Sequence, residues 1–162
     1  MRWVKHLLLD DLAVRRAFPR RVLTAIGDAI GEQEKRHRGE LRFVVEGGLP
    51  LGPLYSGRTA HERAIEVFSR LRIWDTEDNA GVLIYLLLAD RRVEIVADRG
   101  IHAKVGSAAW DVICGEMQSA FAKGRFEEGA ALGIGAISDL LAMHFPPGDE
   151  NPNELPDTPV VF

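Results

Sequence analysis

The chain has 162 residues, of which 46% are hydrophobic and 27% are charged, and its formal net charge at pH 7 is −4. This length and composition are typical of one globular domain with a single core. The one cysteine, Cys114, excludes an intrachain disulfide and any site built from several cysteine ligands. Because the protein is acidic overall, we do not expect nucleic acid to be a partner.

The charge is unevenly distributed along the chain. Residues 1–21 carry six basic and two acidic side chains, whereas residues 146–162 carry four acids and no base. No apolar run reaches the roughly 20 residues that span a membrane, and the N-terminus does not have the pattern of a secretory signal. We therefore expect a cytoplasmic protein, at most peripheral at the inner membrane, whose basic end can contact anionic lipid or an acidic partner.

The N-terminal region has an amphipathic pattern. Apolar residues recur at helical spacing from Trp3 to Leu12, which predicts a helix over residues 3–17. Its arginines suit a helix that lies on a membrane surface. Asp10 and Asp11 interrupt the basic face, however, and favour a helix that packs on its own domain.

Three regions are predicted from these patterns. Residues 1–18 form the N-terminal amphipathic helix, residues 19–145 form an α/β domain, and residues 146–162 form a tail. The tail is acidic and contains five of the eight prolines. This composition predicts disorder, with strand addition by its last residues to a partner's sheet as the alternative.

Helix and strand patterns alternate in the first half of the domain. A helix after Pro19 ends in charged residues, among them His37, which is predicted to be exposed to solvent. A strand follows over Glu40–Glu46, and residues 47–57 have the composition of a loop. In the segment T-A-H-E, residues 59–62, a threonine and a glutamate three residues apart predict a capping box at the start of the next helix.

The centre of the predicted fold is a β-hairpin within residues 74–100. The unbroken apolar run 82–88 predicts a strand covered on both faces, and residues 93–98 predict its antiparallel partner. Two helices follow, over about 107–123 and 126–145. The strand–helix–strand order makes the first two strands parallel, which predicts a three-layer α/β/α sandwich around a small mixed sheet with a central hairpin.

Acidic side chains gather at one end of this hairpin. Asp75 and Asp78 lie in the loop before the central strand, and Asp98 and His102 follow the second strand. Since these segments meet at the same end of an antiparallel pair, the three aspartates are candidate ligands for Ca²⁺ or Mg²⁺. The alternative is an acidic loop that only solubilises the hairpin. Similarly, His102 is either an acid–base partner of Asp98 or a structural histidine.

Three motifs of the chain resemble those of the TPM domain family. They are D-N-A-G-V-L-I at residues 78–84, R-V-E-I at residues 92–95, and F-x-x-G-x-F-x-x-G at residues 121–129. The resemblance covers most of residues 20–145. It is greatest to a bacterial subgroup with R-I-W-D-T before the central strand.

The resemblance implies an α/β/α sandwich whose biochemical role is largely unassigned. Some members of the family are described as binding calcium, and a plant member as an acid phosphatase. Asp78 matches the family's acid before the central strand, whereas a glutamate of the family pattern after the second strand is His102 here. Bacterial members often accompany LemA-type membrane proteins, which implies a partner of that kind.

Two functional hypotheses follow. The first is a non-enzymatic binding or assembly module associated with a membrane complex, which agrees with the basic N-terminus and with the absence of a recognisable catalytic motif. The second is a divalent-metal-dependent phosphatase that acts on phosphomonoesters and holds its metal with Asp75, Asp78 and Asp98.

Overall fold

A computed structural model describes residues 2–8 and 11–162, and a four-stranded mixed sheet lies at the centre of these residues. The strands are β1 (Glu40–Glu46), β2 (Gly81–Leu87), β3 (Arg92–Ala97) and β4 (Val160–Val161). Their spatial order is β3-β2-β1-β4. Strands β1 and β2 are parallel and β2 and β3 are antiparallel, as predicted, and β4 lies parallel to β1.

The helices surround this sheet. They are α1 (Arg2–Leu8), α2 (Asp11–Ala17), α3 (Arg20–Glu34), α4 (Leu51–Tyr55), α5 (Ala60–Arg70), α6 (Arg99–Val105), α7 (Ser107–Ala122) and α8 (Phe126–His144). The helix predicted over residues 3–17 corresponds to α1 and α2, and residues 9 and 10 of that prediction lie outside the described residues. The short helices α4 and α6 were not predicted, because each falls in a segment too short to show helical periodicity.

The sheet separates two apolar clusters, which confirms the predicted three-layer sandwich. One face, with Phe43 and Ile84 at its centre, packs against α3, α7 and α8. The other face, with Val44 and Leu83, packs against α4 and α5. Every residue of β1 and β2 is buried, as expected for strands covered on both faces. The predicted capping box at the start of α5 is also confirmed.

His37 was predicted to be exposed to solvent, and this prediction is wrong. The chain turns sharply between α3 and β1, so the imidazole is fully buried and its Nδ1 lies 3.1 Å from the carbonyl oxygen of Gly39. Burial lowers the pKa of His37 to about 4, which keeps the ring neutral. The side-chain amide of Asn151 in the C-terminal tail donates to the backbone carbonyl of His37 (3.0 Å).

The tail lies against the domain, which differs from the disorder predicted from its composition. The carboxylate of Glu40 accepts hydrogen bonds from the backbone N–H groups of Glu154 and Leu155, both at 3.1 Å. The guanidinium of Arg42 donates to two tail carbonyl groups, those of Pro156 and Thr158. Buried charged groups on β1 therefore order a tail whose own composition gives no sign of structure.

Candidate functional site

The acidic end of the hairpin is arranged as its two strands require. The backbone N–H of Asp98 donates to the carbonyl of Gly81 (2.8 Å), and that of Gly100 donates to the carbonyl of Asn79 (2.9 Å). A side chain on Gly100 would collide with this loop, because its Cβ would lie 2.5 Å from the carbonyl oxygens of Asp78 and Asn79. The loop before β2 and the exit from β3 thus meet at one end, as predicted.

The three candidate aspartates have different surroundings at this end. Asp75 is exposed and pairs with Arg72 at 2.8 Å. Asp78 pairs with Arg38 at 3.2 Å. Asp98 caps α6, because its Oδ1 accepts a hydrogen bond from the N–H of Arg99 (2.7 Å).

Asp98 has one carboxylate oxygen with nothing bound to it. Its Oδ2 is buried and has no hydrogen-bond partner. A buried carboxylate oxygen normally has a donor or a cation beside it, because leaving it unpaired is costly. The exposed side chain of His102 lies one turn along α6, where its backbone N–H donates to the carbonyl of Asp98 (2.9 Å). An acid–base role for this pair stays a prediction.

The donors at this end fit only part of a metal site. Within residues 2–8 and 11–162, no three His, Cys, Asp or Glu side chains lie close enough together to hold one ion. Asp78 lies in the loop and Asp98 at the strand exit where the two meet, whereas Asp75 is more exposed, and Asp75 and Asp78 are each paired with an arginine. The Ca²⁺ or Mg²⁺ site with all three aspartates stays a prediction.

A second surface is formed where α1 meets α4. Trp3 and Tyr55 pack edge to face, with ring centroids 4.5 Å apart. Further large apolar side chains on the same two helices are exposed by 54–61%. We call this surface the N-terminal apolar patch, and its residues are Trp3, Val4, Leu7, Leu51 and Tyr55. The sequence indicated its α1 half, whereas the α4 half lies in a segment predicted to be a loop.

Polar contacts attach α1, which carries part of this patch, to the rest of the domain. His6 is only 6% exposed. Its Nδ1 accepts from the N–H of Leu49 (2.9 Å), which leaves Nε2 to donate to Asp90 (3.0 Å). Arg2 also binds Asp90, at 2.9 Å. Partial burial works against ionisation of Asp90, but the hydrogen bonds from Arg2 and His6 hold the pKa of its carboxyl below its ordinary value.

Elsewhere on the molecule, no described helix is both long and apolar enough to cross a membrane. The architecture is that of a small α/β/α domain with one acidic hairpin end and one exposed apolar patch.

The TPM domain family matches residues 17–140, which is more than half of the chain. Protein BA42 from the psychrophilic bacterium Bizionia argentinensis, solved by NMR, is 32% identical with a TM-score of 0.77, and the match covers 88% of this chain and 93% of BA42. The chain therefore belongs to the TPM domain family, which confirms the resemblance seen in its motifs.

A more distant neighbour agrees in fold. The N-terminal domain of a protein from P. gingivalis, also solved by NMR, has a TM-score of 0.56 at 18% identity, over 75% of this chain and 76% of that domain. At this identity the likeness shows a shared fold alone. A search of curated proteins found no match.

Proposed function

We propose that this TPM domain protein is a non-enzymatic binding module that attaches peripherally to an anionic membrane surface, as a component of a membrane complex. The observation that carries the proposal is the N-terminal apolar patch. Single exposed apolar residues are ordinary, but a contiguous patch on one side of a protein is typical of an interaction surface. Tryptophan and tyrosine are also the side chains that favour the boundary between lipid and water.

Basic charge on the two N-terminal helices supports a lipid surface as the target of the patch. Lys5 is exposed on α1 itself, and Arg15 and Arg16 are exposed on α2. Each basic residue near an anionic bilayer contributes about 1 kcal/mol of attraction. Apolar contact and basic charge together are what interfacial helices use, since neither alone gives stable attachment. A LemA-type membrane protein, the partner implied by the family resemblance, would add a second anchor at the same surface.

Vesicle flotation tests this proposal with Leu7→Glu, which places a charge in the centre of the patch. Removing one leucine that would insert into the bilayer and adding a negative charge is expected to lower binding to anionic vesicles by about tenfold or more. Val112→Glu is the matched control, because Val112 on α7 is exposed by 61%, the same fraction as Leu7.

Two results would contradict the proposal. One is the absence of wild-type binding to anionic vesicles together with no membrane protein recovered in a pull-down. The other is an equal effect of Leu7→Glu and Val112→Glu, which would show that the patch is not the contact surface. If the wild-type chain bound neutral and anionic vesicles with the same affinity, the basic residues would have no role in attachment.

The alternative function is a divalent-metal-dependent phosphatase, and it rests on the unpartnered Oδ2 of Asp98. Asp78 and Asp98 would hold the cation, which would supply charge to a phosphate group. Asp98→Asn preserves the cap of α6 but removes the negative charge. We expect this variant and Asp78→Ala to lower calcium or magnesium affinity about tenfold or more in calorimetry, because each removes a charged ligand. Asp75→Asn, whose parent side chain is exposed and paired with Arg72, is expected to change affinity much less.

Turnover of a generic phosphomonoester separates a structural ion from an enzyme. A phosphatase would lose its turnover in Asp78→Ala. Turnover retained in that variant would place any activity elsewhere or in a contaminant. If all three variants bound the metal with the affinity of the wild-type chain, the aspartates would not be its ligands.

A further inference from the structure

A cavity of about 600 Å³ lies at the other end of the sheet from the acidic loop. It is bounded by α2, by the end of β2 and by the turn between α7 and α8, and most of its wall is carbon. The principal apolar residues of the wall are Ala13, Ala17, Leu86, Leu88, Phe121 and Phe126. This volume is within the range of pockets that bind small organic molecules.

The walls of this cavity are fixed by the core beneath them. The rings of Phe121 and Phe126 stack with centroids 5.6 Å apart, and both contact the buried ring of Phe18. The small side chains of Ala13 and Ala17 on the facing helix leave the space unfilled. Because the aromatic wall is rigid and the alanines of α2 are small, an apolar slot remains between them. The slot can close only if α2 moves.

A polar cleft of about 390 Å³ adjoins the cavity, and the two share Arg91. The cleft is also lined by Arg2, Lys5 and Asp90, so it contains three cations and one carboxylate. That carboxylate is already bound by Arg2 and His6. Among the described residues, neither the Arg91 guanidinium nor the Lys5 ammonium makes an ion pair, so both are available to an anion.

We propose that this cavity and cleft form one binding site for a long-chain carboxylate, with the alkyl chain in the cavity and the carboxylate at Arg91 and Lys5. An apolar slot that ends at unpaired cations matches a ligand with an apolar chain and a terminal anion. Arg91 sits in the hairpin turn with φ of 51°, and this residue lines both halves of the site. None of the five residues of the N-terminal apolar patch lines the site, although Lys5 lies on the same helix, so the proposal goes beyond membrane attachment and does not require it.

Calorimetry with three small probes tests both halves of the site in the full chain. Laurate carries the chain and the anion, dodecanol carries the chain alone, and acetate carries the anion alone. We expect laurate to bind, dodecanol to bind about tenfold more weakly, and acetate not to bind, because a single charged contact is typically responsible for about one factor of ten. Palmitoyl lysophosphatidate, tested beside palmitate, distinguishes a phosphate headgroup from a free fatty acid.

Substitutions of residues that line the site test its position. Arg91→Asn keeps a residue that tolerates positive φ, and it is expected to weaken laurate about tenfold while leaving dodecanol unchanged. Arg99→Asn, an exposed arginine at the opposite end of the hairpin, is the matched control and should leave laurate binding unchanged. Ala17→Phe places an aromatic ring inside the cavity and is expected to weaken the binding of both chain-bearing probes. Thermal unfolding of each variant verifies that it folds.

Three outcomes would overturn the proposal: no laurate binding by the wild-type chain at millimolar concentration, equal effects of Arg91→Asn and Arg99→Asn, or unchanged laurate binding in folded Ala17→Phe. Leu7→Glu separates this site from membrane attachment. It should leave laurate affinity unchanged while it weakens vesicle binding. In the wild-type chain, laurate binding without vesicle binding would contradict only the membrane proposal. Vesicle binding without laurate binding would contradict only the cavity.

Discussion

Replacing Arg63 with methionine is expected to lower the free energy of unfolding by about 3–5 kcal/mol, because it leaves a buried carboxylate without its cation. Arg63 and Glu46 are 3% and 2% exposed. The guanidinium donates two hydrogen bonds to this carboxylate, at 2.9 Å and 2.8 Å. The hydroxyl of Tyr85, which is fully buried, donates to the same carboxylate and cannot replace the positive charge.

Denaturant unfolding at pH 7 measures this loss, and Arg70→Met provides the matched control. Arg63 and Arg70 both lie on α5 and both contact the ring of Phe162, at 5.9 Å and 5.5 Å from its centroid. Arg70 is exposed and makes no contact with Glu46, so its replacement should cost about 0.5 kcal/mol or less. Equal losses in the two variants would show that the cation–π contact, and not the buried ion pair, stabilises this region.

The double variant Arg63→Met with Glu46→Leu distinguishes the cost of an unpaired charge from the loss of packing. When both members of a buried ion pair are replaced by apolar groups, stability often returns to the original level or exceeds it. We therefore expect the double variant to unfold at a higher denaturant concentration than Arg63→Met alone. A double variant as unstable as Arg63→Met would mean that the side-chain volumes matter more than the charges.

The main elements of the fold could be predicted from the sequence because their signals are local. Strand β2 is an unbroken apolar run between a glycine and a charged turn, and its burial on both faces follows from that run. Thr59 caps helix α5, where its hydroxyl accepts from the N–H of Glu62 and the Glu62 carboxylate accepts from the N–H of Thr59. The meeting of the acidic loop with the exit from β3 also follows from the antiparallel pairing alone.

The partners of the site residues could not be predicted, because they come from distant parts of the chain. Asp78 lies 40 residues from Arg38, and these two side chains meet only after β1 and β2 have paired. His37 has charged neighbours in sequence but is buried by the turn that follows α3 and by the tail. Composition describes the average environment of such residues, whereas burial depends on tertiary contacts.

The C-terminal tail is a stronger example of tertiary contacts that composition does not predict. Its prolines and acids are typical of a segment that stays unfolded in isolation. Its order depends on Glu40 and Arg42, whose side chains are buried at the sheet. Asp157 of the tail and Glu34 both interact with the guanidinium of Arg42, and Glu40 interacts with these two carboxyl groups. Because acids outnumber bases in this cluster, we expect the attachment of the tail to depend on pH.

Rising pH is expected to weaken the attachment of the tail to the domain. Burial, and then the neighbouring Glu40 and Asp157, raise the pKa of Glu34 from 4.5 to about 9. Burial likewise raises the pKa of Glu40 from 4.5 to about 7, although two hydrogen bonds from tail N–H groups oppose the change. The attached state therefore binds protons more tightly than a state in which these groups are exposed. Its stabilisation is complete below about pH 4.5 and is lost progressively up to about pH 9.

Amide hydrogen exchange measures this attachment, because the N–H of Phe162 donates to the carbonyl of Val45 (2.9 Å) only when the tail is in place. The protection factor, which is the intrinsic exchange rate divided by the measured rate, is expected to fall by up to about tenfold per pH unit for each titrating carboxyl. In the wild-type chain the fall should continue from pH 7 to pH 9, because Glu34 is still titrating there.

Glu34→Gln identifies the group responsible for the upper part of this range. Glutamine can accept the hydrogen bond from the N–H of Leu41, which lies 2.8 Å from Oε1 of Glu34, and its amide can donate towards Asp157. It carries no titrating charge, so protection of Phe162 should stop falling above about pH 7, once Glu40 has ionised. Glu150→Gln, at an exposed position in the same tail, should keep the wild-type pH dependence. A Glu34→Gln protein that still loses protection between pH 7 and pH 9 would show that another group controls the tail. A plateau would instead assign the alkaline release to one buried carboxyl group on α3.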